Sequence, residues 1–532
     1  MIGFVKNSKK CQPILLLVIL IFSSLLHYVR AQQNRPYFSY IDEGHVVRHA
    51  QNMFKINSLH PNWYGYGSVL MNLINLHATV VHSISGDLED LRKSVKVLPT
   101  GQLEKFVGED EVEEEYSLAI PDIFILYGRM IVILCFLMSV YFVFLISQKL
   151  LRGGMTFVAP LALLTIPVLN EYTIYVHNDI VMMCFITMAA FLSMKWAESF
   201  KLPLLMGAGL LCGMAAGAKY TGAASIGIPF LFVLLSNLKF LKKLTFMFVL
   251  GLTLIAGFYV SSPGMIGHGR EALESFLSYR SYYASKGGSR WSYFFQMIDS
   301  RVFGLPLILF SVLGFLYSVK VTSEKKIIGI FGFWCAAYFA LFQQYSNQPI
   351  RNIFPIFPFL CIFSAYGIIS IVSFFNLKLR RITAPALGAL LISILSWNSF
   401  SVGIAQHRQV NTRIQLTQWA THEFKEGDQV FYQGALAFHH SNIDEIEKKT
   451  SSKFFKKMTF DSSLRDWNYY IFPEIEKEEL ASRTDYQDFL KFLSQNKFKL
   501  EKVFGSEKSS YKQNVFKAPD SVIYVYKNLS EK

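Results

Sequence analysis

Long apolar runs constrain the fold of this chain more than any other feature of its sequence. Of its 532 residues, 52% are hydrophobic and only 17% are charged. The apolar residues form continuous runs instead of recurring along one face of amphipathic helices, and a helix needs about 20 such residues to cross a bilayer. We therefore expect an integral membrane protein that is mainly α-helical.

Eleven apolar runs are predicted to be transmembrane helices. They cover residues 12–29, 122–147, 155–171, 179–197, 203–218, 220–238, 244–261, 301–319, 327–343, 352–374 and 383–401. A shorter apolar run, residues 70–84, is predicted to form a helix that lies along the membrane surface. The predicted fold is thus a polytopic membrane protein with surface helices in its first outer loop.

Charges in alternate connections predict the orientation of these spans. The basic residues there are Lys6, Lys9, Lys10, Lys149, Arg152, Lys195, Lys201, Lys239, Lys242, Lys243, Lys320, Lys325, Lys326, Lys378, Arg380 and Arg381, against two acidic residues, Glu198 and Glu324. Basic loops face the cytoplasm. The net charge of +14 therefore reflects topology and attraction to anionic lipid headgroups, and it gives no support for nucleic-acid binding.

An odd number of spans that starts inside puts the C-terminus outside. We expect a transmembrane domain over residues 1–401, with its first outer loop at 30–121, and an extracytoplasmic domain over residues 402–532. Strand-like runs at 428–433, 469–472 and 521–526, with a helix-like run at 414–424, predict a small soluble α/β domain.

The first apolar run has a second interpretation, because a Lys-rich start and an apolar core also describe a cleaved signal peptide. The cleavage point would follow Val29-Arg30-Ala31. We favour a retained span, since an arginine is unusual there and signal peptides usually have shorter apolar cores. The six cysteines all lie in or beside spans, which is typical of small buried side chains and not of a disulfide scaffold.

Acidic residues at the predicted outer membrane boundary are candidate catalytic groups. Asp42 and Glu43 follow the first span, and Asp179 begins the fourth span beside His177 and Asn178. A charge in or near hydrocarbon is costly and usually functional. Helix capping explains the second group equally well, because Asn or Asp at a helix N-terminus is common.

Three cations fall on the same predicted side. Lys219 is the one charge in residues 202–238, Arg129 lies inside the second span, and Arg351 opens the tenth. Guanidinium groups bind phosphate oxygens in a bidentate manner, so the set predicts a lipid-linked phosphate ligand. Two other interpretations remain: structural ion pairs such as Arg129 with Asp42, and extension of the Lys219 side chain to water.

At these residues the chain resembles the membrane-embedded C-type glycosyltransferases, which include protein O-mannosyltransferases, aminoarabinose transferases and bacterial phospholipid-carrier-dependent enzymes. The matching motifs are Asp42-Glu43, the stretch from His60-Pro61 to Tyr66-Gly67-Ser68, Gly128-Arg129, His177-Asn178-Asp179, Lys219-Tyr220-Thr221-Gly222, the proline-spaced stretch from Arg351 to Pro358, and the segment from Arg413 to Trp419. They cover most of residues 35–420. Each motif is weak alone, but their order and common side are fairly specific.

The resemblance implies an inverting transfer of a hexose or pentose from a polyprenyl phosphate to an acceptor hydroxyl of a glycan, lipid or protein. It implies that Asp42 is the catalytic base, that Glu43 positions it, and that Arg129 binds the donor phosphate. From charge and position we add Asp179 to the catalytic group and Lys219 and Arg351 to the phosphate site. The predicted substrate pocket contains His60, Tyr66, His177, Asn178 and Tyr220.

The resemblance also suggests a bacterial inner membrane. A divalent cation, Mg²⁺ or Mn²⁺, is a possible cofactor that Asp42 and Asp179 could share. A transporter or flippase of lipid-linked sugars is the main alternative, and a non-catalytic scaffold is a third. Transporters tend to have repeated halves and broken helices near the midplane, whereas these charges gather on one side.

Overall fold

The computed structural model of this chain is mostly helical. It describes residues 2–32, 35, 41–61, 64–95, 122–285, 292–344, 349–374, 384–390, 392–393, 397, 412–428, 430–433, 453–455, 468–473, 498–504 and 523–528. The chain divides into two compact units. The first comprises Met1–Gln33, Asn57–Gly86 and Leu126–Ile404, and the second comprises Asn34–Ile56, Asp87–Ile125 and Ala405–Lys532.

Six helices among the described residues are long and apolar enough to cross a membrane. They are Gln12–Gln32, Ile123–Leu150, Asn178–Ser199, Phe240–Ser261, Lys325–Gln343 and Ile350–Phe374. Four further predicted spans correspond to shorter apolar helices, and the eleventh, residues 383–401, is only partly described. The prediction of a mainly α integral membrane protein is confirmed, whereas the number of eleven spans and the two predicted domains stay predictions.

Most helices belong to the first unit. They are α1 (Ile2–Gln32), α3 (Val69–Ser85), α5 (Asp122–Leu150, in this unit from Leu126), α6 (Val158–Thr165), α7 (Pro167–Tyr172), α8 (Asn178–Ser199), α9 (Leu202–Ala218), α10 (Gly227–Leu234), α11 (Phe240–Ser261), α12 (Gly269–Ser285), α13 (Ser292–Ile298), α14 (Leu305–Val321), α15 (Lys325–Gln343) and α16 (Phe357–Phe374). Helix α3 covers the apolar run that the sequence assigns to a surface helix.

Three predicted spans are interrupted. The third breaks between α6 and α7 at Pro167, because proline lacks an N–H donor and disfavours a helical residue before it. The sixth and tenth begin with 3₁₀ segments, Tyr220–Ile226 and Ile350–Ile356, which lead into α10 and α16. Such tighter turns are common at helix ends. These breaks place polar residues where regular helices start or stop.

A polar cluster marks one end of the first unit. Lys149, at the end of α5, lies 3.2 Å from Glu198 and 3.3 Å from Glu324. The three residues come from three connections that the positive-inside rule assigns to the cytoplasm. Helix α8 has 22 residues and is therefore about 33 Å long, close to the thickness of a bilayer core. Lys149 and Glu198 lie where α8 ends, and Asp179 lies where α8 begins. We call these two ends of the unit the Lys149 end and the Asp179 end.

Buried polar contacts join helix α1 to the rest of the first unit. His27 Nε2 lies 2.9 Å from Asn170 Oδ1, and Arg30 Nη2 lies 3.4 Å from Glu171 Oε2. Glu171 also accepts a hydrogen bond from the Tyr175 hydroxyl. Arg30, the residue that argues against a cleavage site in the sequence, therefore pairs with a buried carboxylate.

The second unit contains α2 (Ile41–Lys55) and α4 (Leu88–Ser94). Two hydrogen bonds connect these helices: Lys55 Nζ donates to the Arg92 carbonyl at 2.6 Å, and Arg92 Nε donates to the Phe54 carbonyl at 3.3 Å. The first turn of α2 carries the adjacent acids Asp42 and Glu43.

A five-stranded sheet and α17 (Thr412–Glu423) also belong to this unit. The strands are β1 (Val430–Gln433), β2 (Lys453–Phe455), β3 (Tyr469–Pro473), β4 (Phe498–Phe504) and β5 (Ile523–Asn528), in the order β2-β1-β3-β5-β4. Strand β1 is parallel to β2 and β3, and β5 is antiparallel to β3 and β4. Leu416, Phe424 and Ile471 belong to its buried core.

The predicted helix and three predicted strands are present as α17, β1, β3 and β5, each with slightly shifted bounds. The sequence analysis missed β2 and β4, which form the two edges of the sheet. Strand β2 has only three residues, and the alternation of charged and apolar residues in β4 breaks at Glu501-Lys502, where the pairing with β5 shifts register. Neither strand has the continuous apolar pattern that identifies a buried strand.

Candidate functional site

Asp179 is the centre of a buried polar cluster at the start of α8. Its side chain is almost fully buried, and its Oδ2 atom lies 3.0 Å from Nδ1 of His177, the residue at the N-cap position. A proton on that nitrogen would donate to the carboxylate at this distance. The helix N-terminus also favours a negative charge. Without that proton, the same nitrogen caps α8 instead, because it then accepts a hydrogen bond from the Asp179 backbone N–H at 3.4 Å.

Lys219 provides the main positive charge next to this carboxylate. It follows α9 at the turn into the 3₁₀ segment, as the sequence predicts. Its Nζ atom donates to Asp179 Oδ1 at 2.9 Å and to Asn352 Oδ1 at 2.8 Å. Lys219 is only 6% exposed, so the ammonium group lies inside the protein and does not extend to water.

Arg351 and Asn352 reach the same cluster from the 3₁₀ segment before α16. Arg351 Nε lies 3.9 Å from Asp179 Oδ2, which is an ion-pair distance but too long for a hydrogen bond. Asn352 Nδ2 donates to the Tyr293 hydroxyl at 3.0 Å. The structure therefore joins two cations and one carboxylate that are far apart in the sequence.

A close backbone approach fixes the turn that carries Lys219. A Cβ atom on Gly67 would lie 2.0 Å from the carbonyl oxygen of Gly217, so only glycine fits at position 67. The Ser68 N–H donates to Ser262 Oγ at 3.1 Å, which ties the same segment to the end of α11. As a result, the Tyr66 ring centroid lies 6.0 Å from Lys219 Nζ, within range of a cation–π interaction.

Aromatic side chains extend the site away from the charges. The Tyr220 hydroxyl donates to the Tyr64 carbonyl at 2.8 Å, and the Tyr64 hydroxyl lies 2.7 Å from His60 Nε2. The rings of His60 and His268 are 4.3 Å apart. The predicted pocket residues His60 and Tyr220 are thus linked through Tyr64.

Arg129 is buried in α5, and its Nη1 atom donates to the Ala31 carbonyl at 2.8 Å. Its proposed contact with a donor phosphate stays a prediction. The roles of Asp42 and Glu43 also stay predictions: Glu43 is fully buried, whereas the side chain of Asp42 lies outside the described residues. Within the described ranges, no three or more His, Cys, Asp or Glu side chains form a group that could hold a metal ion.

Sequence analysis missed three residues of this region. Asn352 lies next to Arg351, but nothing in the sequence indicates that this neutral amide accepts a hydrogen bond from Lys219. Tyr293 and His268 belong to the connection between α11 and α14, where no motif singles them out. Only their contacts with Asn352 and His60 place them at the site.

Comparison with known proteins gives one family match. The model of the dolichyl-phosphate-mannose-protein mannosyltransferase family matches residues 124–263, a segment that contains Arg129, Asp179 and Lys219. No curated protein sequence matches the chain at a significant level.

Solved structures share the fold of the chain. ArnT from Cupriavidus metallidurans bound to undecaprenyl phosphate has a TM-score of 0.54 at 12% identity, over 96% of this chain and 97% of that one. The apo state of the same protein gives a TM-score of 0.55 at 12% identity and the same coverage. AglB from Archaeoglobus fulgidus, in complex with an inhibitory peptide and a dolichol-phosphate, has a TM-score of 0.50 at 10% identity, over 88% and 70%.

These matches confirm the resemblance that the sequence motifs indicate. The chain shares its fold with membrane proteins of the C-type glycosyltransferase group, and one segment fits a mannosyltransferase family model. Identities of 10–12% establish the fold alone.

Proposed function

We propose that this protein transfers a sugar from a polyprenyl-phosphate donor to an acceptor hydroxyl on the extracytoplasmic face, with inversion at the sugar carbon. The observation that supports this most strongly is the buried Asp179–Lys219–Asn352 contact, which lies partly in the segment that matches the mannosyltransferase family model. Solved structures of proteins with this fold contain undecaprenyl phosphate or dolichol-phosphate. A lipid-linked phosphate is therefore the ligand we propose here.

The reaction needs positive charge where the donor phosphate leaves. The acceptor oxygen forms a bond to the sugar carbon, the bond from that carbon to the phosphate oxygen breaks, and polyprenyl phosphate departs with the additional negative charge. Lys219 and Arg351 would stabilise that charge in a poorly hydrated site. Arg129 is proposed as a further phosphate ligand because its planar guanidinium group can bind two oxygens.

Asp179 acts in this proposal by positioning Lys219. The carboxylate and the Asn352 amide oxygen each accept a hydrogen bond from the Lys219 ammonium group, which holds the group in place. A cation held in place before the substrate arrives needs no reorganisation during the reaction. Asp42 is the proposed base that takes the acceptor proton, and Glu43 the neighbour that positions it.

The remaining predicted pocket residues are proposed to bind the sugar and the acceptor. Tyr66, Tyr220 and His60 belong to the connected aromatic group beside Lys219. His177 and Asn178 flank Asp179. Aromatic faces and short polar side chains together suit a ligand with both apolar ring surfaces and hydroxyl groups.

A release assay tests the proposed function. Purified protein in detergent is supplied with undecaprenyl phosphates that carry different hexoses or pentoses, and the release of free undecaprenyl phosphate is measured. At least one donor should be consumed in the presence of an acceptor glycan, glycolipid or protein extract. Movement of lipid-linked sugars between the two leaflets of a liposome membrane, without release of undecaprenyl phosphate, would instead support the flippase alternative.

Reporter fusions test the proposed orientation in a bacterial inner membrane. Fusions after Lys149, Lys243 and Arg381 should report the cytoplasm, and fusions after Lys105, Gly288 and Lys532 should report the outside. The contacts of Lys149 with Glu198 and Glu324 support one common face for three of the basic connections. If fusions after Lys105 and Lys243 report the same side, the eleven-span topology is wrong.

A further inference from the structure

Asn352 lies between a cation and a tyrosine in the buried cluster. Lys219 Nζ donates to Asn352 Oδ1 at 2.8 Å, and Asn352 Nδ2 donates to the Tyr293 hydroxyl at 3.0 Å. All three residues are buried, and Tyr293 has no exposed surface. The hydrogen bonds therefore run without interruption from the ammonium group to α13, the helix that carries Tyr293.

The two ends of the Asn352 amide differ in chemistry. An ammonium group has donors and no acceptor, so the oxygen end of the amide must face Lys219. The NH₂ end then faces away from the cation, and the Tyr293 hydroxyl oxygen accepts one of its protons. Loss of that acceptor would leave a buried N–H without this partner, and the amide would be held at one end only. Tyr293 thus keeps the amide in the position that presents Oδ1 to Lys219.

Tyr293 is itself fixed by packing. Its helix, α13, contacts the 3₁₀ segment Ile350–Ile356. The Tyr293 ring centroid lies 6.4 Å from that of Phe339 in α15, and the Gly304 N–H donates to the Met297 carbonyl at 2.9 Å, which ties the end of α13 to the start of α14. A tyrosine side chain has few rotatable bonds, so a packed ring sets the position of its hydroxyl.

A neutral acceptor suits this position because it adds no charge. The cluster contains two cations, Lys219 and Arg351, and one carboxylate, Asp179, so one positive charge is left over. A second carboxylate at position 352 would cancel that charge. The Asn352 amide holds the ammonium group and leaves the positive charge for an anionic ligand such as a phosphate.

We propose that Tyr293 is a positioning residue for the donor-phosphate site: it holds Asn352, and Asn352 together with Asp179 holds Lys219 where the phosphate binds. The inference rests on the proposed function and assigns part of the phosphate site to the connection between α11 and α14. Tyr293 acts through Asn352 and takes no part in bond making or breaking.

Tyr293→Phe tests this role because it removes only the hydroxyl oxygen. Affinity is measured in detergent for undecaprenyl phosphate and for undecaprenol, which is the same lipid without the phosphate. The variant should bind undecaprenyl phosphate about fivefold more weakly, the usual effect of one hydrogen bond, because the ammonium group is less well positioned. Its affinity for undecaprenol should equal that of the wild type.

Tyr366→Phe is the matched control. The Tyr366 hydroxyl also makes a hydrogen bond, to the Leu150 carbonyl at 2.6 Å near the Lys149 end. Both variants lose one hydrogen bond, so both should melt at a lower temperature without ligand. Only Tyr293→Phe should lose affinity for undecaprenyl phosphate, since a merely structural role of its hydroxyl would change melting alone.

A double-mutant cycle tests whether the effect passes through Asn352. Asn352→Leu keeps the approximate size of the side chain but removes both of its hydrogen bonds. In that background, Tyr293→Phe should cause no further loss of affinity for undecaprenyl phosphate, because there is no amide to hold. Asn352→Ala provides the same comparison if the leucine variant does not fold.

Three results would overturn the positioning role. They are wild-type affinity of Tyr293→Phe for undecaprenyl phosphate, an equal loss of affinity for undecaprenol, and a full additional loss when Tyr293→Phe is combined with Asn352→Leu. A wild-type protein that neither binds undecaprenyl phosphate nor releases it from any sugar-loaded donor would instead contradict the proposed function itself.

Discussion

Turnover by the Asp42→Asn variant is expected to fall at least about a hundredfold, the lower range for loss of a general base. Asparagine has nearly the same size as aspartate, but it cannot take a proton from the acceptor hydroxyl at neutral pH. The variant should therefore keep its expression, its melting temperature and its affinity for undecaprenyl phosphate. Release of undecaprenyl phosphate from the sugar-loaded donor measures the effect.

Asp90→Asn is a suitable control for this experiment. Asp90 is an exposed acid in the first turn of α4, so its replacement changes the net charge equally without touching a buried group. The control should turn over donor at the wild-type rate. Near-normal turnover by Asp42→Asn would rule out the role of Asp42 as the base.

The Lys219→Met variant should lose about 3–5 kcal/mol of folding stability, the usual effect of removing one partner of a buried ion pair. Methionine matches the length of the lysine side chain but leaves the buried Asp179 carboxylate without its closest cation at 2.9 Å. Thermal or denaturant unfolding in detergent measures the loss. Lys149→Met should lose no more than about 1 kcal/mol, because Lys149 and its carboxylate partners are about a third exposed.

A double variant separates stability from ligand binding. In Lys219→Met/Asp179→Asn no uncompensated carboxylate is left, so most of the lost stability should return. Undecaprenyl phosphate stabilises the folded wild-type protein if it binds there, and this stabilisation should be absent from the double variant. A double variant that is still stabilised by the lipid to the wild-type extent would show that Lys219 serves folding alone.

Arg351 offers a third comparison at the same site. Arg351→Lys keeps the positive charge near Asp179 but loses the planar group that binds two phosphate oxygens. A smaller lipid-induced shift with an unchanged ligand-free melting temperature would support a phosphate contact. An unchanged shift would restrict Arg351 to its ion pair with Asp179.

Local sequence patterns determined the membrane character of this protein and the places where its chain turns. A run of apolar residues is a property of neighbours along the chain, and the bilayer thickness converts its length directly into a helix. The turn at Lys219 and the start of α8 at Asn178 were predictable for the same reason. Local pattern also predicted strands β1, β3 and β5 of the C-terminal sheet.

Tertiary structure alone decided which of the charged residues meet. Lys219, Asp179 and Asn352 lie 40 and 133 residues apart along the chain, yet two hydrogen bonds of 2.8–2.9 Å join them. From the sequence, Arg129 with Asp42 was one possible ion pair and Lys219 had no named partner, because a charge pattern specifies a side of the membrane and not a neighbour. The close approach of Gly67 to Gly217 sets the position of the ammonium group.

The sequence by itself therefore determined that this chain is an integral membrane protein, and it predicts that its candidate site residues gather on one side of the membrane. Packing decided that Asp179 holds Lys219 and that Asn352 and Tyr293 continue the cluster. The physical reason is that the length of an apolar run is a property of consecutive residues, and the bilayer core requires a fixed length of apolar helix. Hydrogen bonds and ion pairs act over about 3 Å, so they depend on which helices come together.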